Sequence, residues 1–504
     1  MNAVTLKPGD VRALTWHEAL ERVAVHYFWQ CVAAVLALTA GNAFWRLGDT
    51  FVRDCDEGRY AVAASEMLHA HSMLVTTYAG ETEFWNLKPP LGYWLLDLSY
   101  WVMGETPLAL RIPAATCALA ATALTMLVTR RIAGARAAIL AGIMLATSFG
   151  FLAHHGARGG ELDSPLTLFM LLFLMLAPRL ADARPARLAA GLVLALAFLL
   201  KSFAILPYVA AVATYYVITR GTNSWRVWPL PLGITVFIAA TWAVARSVAE
   251  GSWEFVRRMF VEDLLLRSTT SIDPGGNSAW DYVGALFDRL APWPVLVVLA
   301  FALSRYFASR RLSSDFATLL WCFALIPLVV FTLARTHHSW YIIPTYPAWA
   351  ILGAVATLEV LKCAKHREFA RSAATLVAIC VLACEARIVM HIEVYDRMPR
   401  SQIFLVSLRN RLADTGPYLH TAFTPSYSER FLLQVVDGFE LDGLSGKDSS
   451  SSQPPLVTGP VLIRKSDPAF METPPHADEI AVLEQNEEYA LIRLSSPVTA
   501  DAKE

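Results

Sequence analysis

The sequence predicts a mainly α-helical, polytopic membrane protein with a small α/β unit at its C-terminal end. Three observations point there. Hydrophobic residues make up 55% of the 504 and charged residues 17%, against roughly 25% charged in an ordinary soluble domain. Apolar runs long enough to cross a bilayer, which takes about 20 residues of helix, recur as far as residue 391. Beyond that point the runs stop and the composition turns polar.

The apolar runs are 28–47, 110–129, 137–153, 164–179, 186–201, 203–219, 228–247, 292–305, 316–334, 341–361 and 371–391. They predict about 11 transmembrane helices (11–13). Basic residues gather after alternate runs: Arg130, Arg131 and Arg136; Arg179, Arg184 and Arg187; Arg220 and Arg226; Arg305, Arg310 and Arg311; Lys362, Lys365, Arg367 and Arg371. The positive-inside rule makes these loops cytoplasmic. The N-terminus then lies inside, and everything after the last run lies outside.

The segment before the first run carries Asp10, Glu18 and Glu21. It reads as a short amphipathic surface helix rather than a cleavable signal peptide. The seven cysteines show no CxxC spacing and most fall inside runs, as small core-filling residues do. Cys55 stands apart among acidic residues, with no chemistry to assign to it. A net charge of -1 says nothing of partners, and no basic tract suggests nucleic acid.

The loops on the predicted outer face, about 48–109, 154–163, the turn at Lys201, 248–291 and 335–340, hold nearly every unusual residue. In "RDCDEGRYAVAASEMLHAHS" (53–72), Tyr60, Ala63, Ala64, Met67 and Leu68 recur at helical spacing. That predicts an amphipathic helix near the interface. Asp54 and Glu57 have the spacing of a capping box, which would make these acids purely structural. Asp56 resists that reading: four residues before Tyr60, it falls on the apolar face, where an unpartnered carboxylate is costly.

Lys88 is pinned before Pro89–Pro90, with little freedom to snorkel to the interface, and so suits a phosphate. Asp163 precedes Ser-Pro and is equally a plain helix N-cap. Lys201 lies between two closely spaced runs, where a cation is expensive unless an anion meets it. "EDLLLR" (262–267) places Glu262 and Arg267 five apart, and Tyr341 opens the run at 341. Acids, cations and a tyrosine thus converge on one membrane face. They suit glycosyl transfer from a lipid phosphate: a carboxylate takes the acceptor's proton, and cations or a metal stabilise the departing phosphate.

The pieces "DEGRYA" (56–61), "KPPLGYW" (88–94), "LDSPL" (162–166), "LLKS" (199–202), "EDLLLR" (262–267), "APWP" (291–294) and "YIIPTYP" (341–347) occur in one order across the membrane region. In this the chain resembles the GT-C class of membrane glycosyltransferases, specifically the aminoarabinose lipid A transferases and their protein mannosyltransferase relatives. The resemblance implies Asp56 as catalytic base, with Glu57 beside it and Asp163 as a second acidic site residue. It implies Arg59, Lys88, Lys201, Arg267 and Tyr341 as the groups that hold the donor phosphate. The family carries an acid before the KPP lysine and a histidine five before the arginine, both tied to a metal. Here Leu87 and Glu262 stand there, and "LLKS" replaces Lys-Gly-Pro. A divalent metal ion as cofactor is therefore left open, with Glu262 the candidate ligand, and so is the donor sugar.

The chain divides by composition into a transmembrane glycosyltransferase part (1–391) and an extracytoplasmic α/β part (392–504). The second holds a helical pattern at 401–413, strand-like runs "YLHTAF", "GPVLIRK", "EIAVLEQ" and "EYALIRL", and a linker at 443–455. By resemblance the partners are the bilayer, a polyprenyl-phosphate monosaccharide donor and a lipid or polysaccharide acceptor such as lipid A or lipopolysaccharide. The compartment is the bacterial inner membrane, with the site facing the periplasm. Alternative readings are a protein O-glycosyltransferase of the same family, or a transporter or flippase for a lipid-linked sugar that uses Asp56 and Asp163 for ion coupling.

Overall fold

The computed structural model describes residues 16–153, 155–270, 278, 280–295, 297–298, 314–363, 367–412, 418–443, 460–466 and 480–494. Helices occupy every predicted apolar run except 292–305, most of which lies outside these residues. Among the described residues six helices are long and apolar enough to cross a membrane: Phe28–Asp49, Pro107–Ala133, Arg184–Arg220, Pro229–Glu250, Asp315–Leu333 and Ala374–Tyr395. The chain is thus a multi-pass membrane protein. The helix Trp16–His26 stands where the N-terminal surface helix is expected. Arg130, in the last turn of the helix Pro107–Ala133, lays its guanidinium over the Phe28 ring at 4.0 Å, so the first span starts at the basic end of the bundle.

The 48–109 segment folds over the opposite end. Its helix Asp56–His69 is not the interfacial amphipathic helix the periodicity predicts, because Gly58, Tyr60 to Ser65 and Met67 are all buried. A second layer covers the face that would have met the headgroups. Tyr427 and Ser428 backbone atoms come so close to Gly58 that a Cβ there would sit 2.7 Å from the Tyr427 carbonyl carbon. A short hairpin follows, β1 (Thr77–Tyr78) with β2 (Glu81–Thr82). Ala79 and Gly80 both take positive φ between the strands, the conformation a two-residue hairpin turn demands. Pro90 then caps the helix Leu91–Met103.

The covering layer is the C-terminal unit. Helices Arg400–Val406 and Leu408–Arg411 lead into a five-stranded mixed sheet in the order β4 (Glu440–Gly443), β3 (Tyr418–Thr421), β5 (Pro460–Arg464), β7 (Tyr489–Leu494), β6 (Ile480–Gln485). The first three strands run parallel and β7 pairs antiparallel with β5 and β6. All four strand-like runs read from alternation are strands. The predicted linker lies outside the described residues from 444 onward.

Candidate active site

Five segments meet at the covered end of the bundle and bring polar side chains together. Pro89 and Pro90 hold Lys88 extended, and its Nζ lies 2.7 Å from Asp263 Oδ1. The helix Asp163–Leu176 starts on Asp163, whose Oδ1 lies 2.6 Å from Lys201 Nζ. Lys201 ends its own helix because Ser202 takes a φ of +46°. The Ser202 hydroxyl donates to Asp263 Oδ2 at 2.6 Å. Arg267 reaches both Asp263, at 3.2 Å, and the Tyr341 hydroxyl, at 3.1 Å. Lys88, Lys201, Arg267, Tyr341 and Asp163 are therefore gathered, and Asp263 joins them.

Asp56 is the first residue of its helix and half-buried. It makes no hydrogen bond or ion pair to another described residue, yet its charge is felt at Glu161 and Arg267. A carboxylate held at a helix N-terminus and left without a partner is free to accept a proton from something bound.

Burial pushes the Lys88 ammonium down, and the neighbouring Asp263 opposes that shift. Burial works against the charged form of Asp263 as well, but Lys88 and Arg267 hold its carboxyl below the usual range. Glu161, in the loop between Asp56 and Asp163, is pushed well up by burial and by the charges of Glu57, Asp56 and Asp163. His155 stacks on Trp340 at 3.8 Å, with its Nδ1 3.8 Å from both Glu161 and Asp163.

Three expectations change. Glu57 is sealed away from any substrate: Oε1 accepts from Arg111 Nε at 2.6 Å and Gly160 N at 3.0 Å, and Oε2 from Arg111 Nη2 and Arg53 N at 3.0 Å each. Its lone pairs are spent on tying the Asp56 loop to the Asp163 loop. Arg59 is not with the phosphate-type cations, since Glu83 grips it at 2.6 and 2.9 Å while Tyr78, Trp85 and Tyr427 surround it at 4.4 to 4.9 Å. The capping box of Asp54 and Glu57 does not form, because Asp54 accepts instead from the Ser428 N–H at 2.8 Å.

The metal implied by resemblance does not fit these residues. Leu87 is buried in the apolar core. Glu262 points outward, 3.9 Å from Arg258, while its neighbour Asp263 takes the inward position. Among the described residues no three His, Cys, Asp or Glu side chains are arranged so that they could hold a metal ion.

A helical membrane bundle with loops that converge on paired cations and acids, roofed by a small mixed sheet, defines a membrane-embedded transferase architecture. Residues 87–246 match the family model for dolichyl-phosphate-mannose-protein mannosyltransferase. The undecaprenyl phosphate-alpha-4-amino-4-deoxy-L-arabinose arabinosyl transferase of Edwardsiella ictaluri is 28% identical over 59% of this chain and 54% of that one. Its counterpart from Pseudomonas savastanoi pv. phaseolicola is 28% identical over 70% of this chain and 66% of that one. The chain therefore spans about half to two thirds of these relatives' length. The crystal structure of ArnT from Cupriavidus metallidurans bound to undecaprenyl phosphate has the same fold, with a TM-score of 0.70 at 18% identity, covering 93% of this chain and 98% of that one. The chain thus has the fold of ArnT and is similar in sequence to membrane glycosyltransferases of the arabinosyl and mannosyl transferase kind.

Proposed function

We propose that this chain transfers a sugar from a polyprenyl-phosphate monosaccharide to a hydroxyl or phosphate of lipid A, lipopolysaccharide or another extracytoplasmic acceptor. The observation that carries the reading is the pairing of an unpartnered Asp56 carboxylate with the fixed cluster of Lys88, Arg267 and Tyr341. Asp56 takes the acceptor's proton as its oxygen attacks the anomeric carbon. The bond to the donor phosphate breaks, and Lys88, Arg267 and the Tyr341 hydroxyl stabilise the charge that grows there. Asp163, held by Lys201, keeps a second carboxylate beside the reacting sugar. Direct displacement inverts the anomeric centre.

In this reading about eleven helices span the bacterial inner membrane, with the N-terminus in the cytoplasm. The site and the 392–504 unit face the periplasm. The alternation of basic loops supports that orientation, and the match of the curated relatives supports the donor class. A protein hydroxyl as acceptor is the second reading, favoured by the protein mannosyltransferase model that residues 87–246 match. The test offers labelled polyprenyl-phosphate sugars, with lipid A, lipopolysaccharide or envelope proteins as acceptors, to wild type and to Asp56→Asn. Transfer lost in the variant supports the reading. Donor binding without turnover of any acceptor by wild type would instead favour a flippase.

A further inference from the structure

Asp263 sits where a bound anion would sit. Lys88 Nζ and Arg267 Nε approach its Oδ1 at 2.7 and 3.2 Å, and the Ser202 hydroxyl donates to Oδ2 at 2.6 Å. A carboxylate and a phosphodiester are both monoanions that accept forked hydrogen bonds, so either can meet the Lys88 and Arg267 cations. The surrounding backbone is unequally fixed. Lys88 is held by Pro89–Pro90, and the Arg267 carbonyl accepts from the Thr336 N–H at 3.2 Å. Asp263, by contrast, lies inside the π-helical turn Met259–Leu266, a winding that recurs at functional sites. Ser202, its anchor, holds a positive φ that a non-glycine residue adopts only at a cost. The cations are in place, and the anion between them is the part able to leave.

We propose that Asp263 is an internal stand-in for the donor phosphate: its carboxylate fills the seat between Lys88 and Arg267, tethered there by Ser202, and is displaced when the lipid phosphate binds. This rests on the donor reading above. The stand-in keeps the two cations from repelling each other in the empty site. Its cost is a fraction of the lipid's affinity, since a ligand binds only the fraction of molecules whose seat is open. When the phosphate departs with its extra negative charge, the carboxylate competes for the same seat and helps to release the product.

The experiment measures the Kd of undecaprenyl phosphate for the purified full chain in detergent by titration calorimetry, in wild type, Asp263→Asn and Ser202→Ala. With the competitor neutralised, Asp263→Asn should bind about tenfold more tightly. Ser202→Ala keeps the charge but loosens its hold on the seat, and should bind about threefold more tightly. Tightening in Asp263→Asn alone overturns displacement in favour of simple charge repulsion. Unchanged or weaker binding in both variants also overturns it, and makes Asp263 a positioning residue for Lys88 and Arg267. If Asp263→Asn does not fold, Ser202→Ala decides by the same criterion. Binding absent from wild type and variants alike overturns the donor reading, whereas wild-type binding with no gain in the variants overturns this inference only.

Discussion

Two buried ionic clusters lie side by side beneath the C-terminal unit and are finished differently. In one, Glu57 spends both oxygens on Arg111, Arg53 and Gly160, while Arg111 also donates to the Leu47, Thr50 and Phe51 carbonyls. Arg158 continues that cluster to Asp396 and to the carbonyls of Asn42, Ala43 and Trp45. In the other, charges are paired but the groups are not saturated: Asp163 Oδ2 and Glu161 Oε2 are buried without a hydrogen-bond donor. Asp56 has no partner among the described residues. A saturated cluster holds the fold, and an unsaturated one waits for a ligand.

The largest effect tests the unsaturated side. Asp56→Asn should lower transfer by about 10³-fold, roughly 4 kcal/mol of transition-state stabilisation, with the melting temperature unchanged. A matching loss of thermal stability would move Asp56 into the structural cluster and erase the distinction. Arg111→Met tests the saturated side. It leaves the Glu57 carboxylate buried with its main counter-charge gone, at a cost of about 3 kcal/mol or more. Its melting curve should collapse or broaden, and a variant with wild-type stability would show that the saturated cluster does not hold the fold. Lys88→Ala stands between the two. It removes one charge-assisted bond to the donor phosphate, about 2 kcal/mol or some 30-fold in Kd, read by binding of undecaprenyl phosphate.

The same contrast explains what the sequence carried. Strands and spans were legible because short and long apolar runs survive in a single chain. The lysines and Arg267 were legible because a cation in an apolar neighbourhood needs a reason. The full burial of Glu57 against Arg111 was not legible, since that partner lies 54 residues away and its packing alone turns Glu57 inward. Asp263 was hidden beside Glu262. Its spacing of four from Arg267 was the available signal, because residues four apart share a helix face. Ser202 and the pairing of Asp54 with Ser428 were out of reach, since the second links residues 374 positions apart.

The smallest effect per unit of pH separates the clusters by sign. Glu57 is held below the usual carboxylate range: burial opposes its charge, but Arg111 and the Arg53 N–H outweigh that. An acid with a lowered folded value contributes stability above its unfolded value, and the contribution is lost as pH falls through the folded one. Glu161 is shifted the other way, by burial and by the neighbouring Glu57, Asp56 and Asp163. The folded chain then holds a proton that the unfolded chain has released, so stability declines as pH rises from the ordinary carboxylate range toward the raised value. Over that interval Glu161 contributes a slope of up to about 1.4 kcal/mol per pH unit. The melting temperature of wild type should therefore rise on mild acidification from neutrality and fall again only in stronger acid, where Glu57 protonates. Glu161→Gln should reduce the neutral-side rise and keep the acid-side fall. A neutral-side rise undiminished in Glu161→Gln would assign that proton to other groups, with Asp97 and Asp437, both pushed up to about 7 by burial, the first to replace.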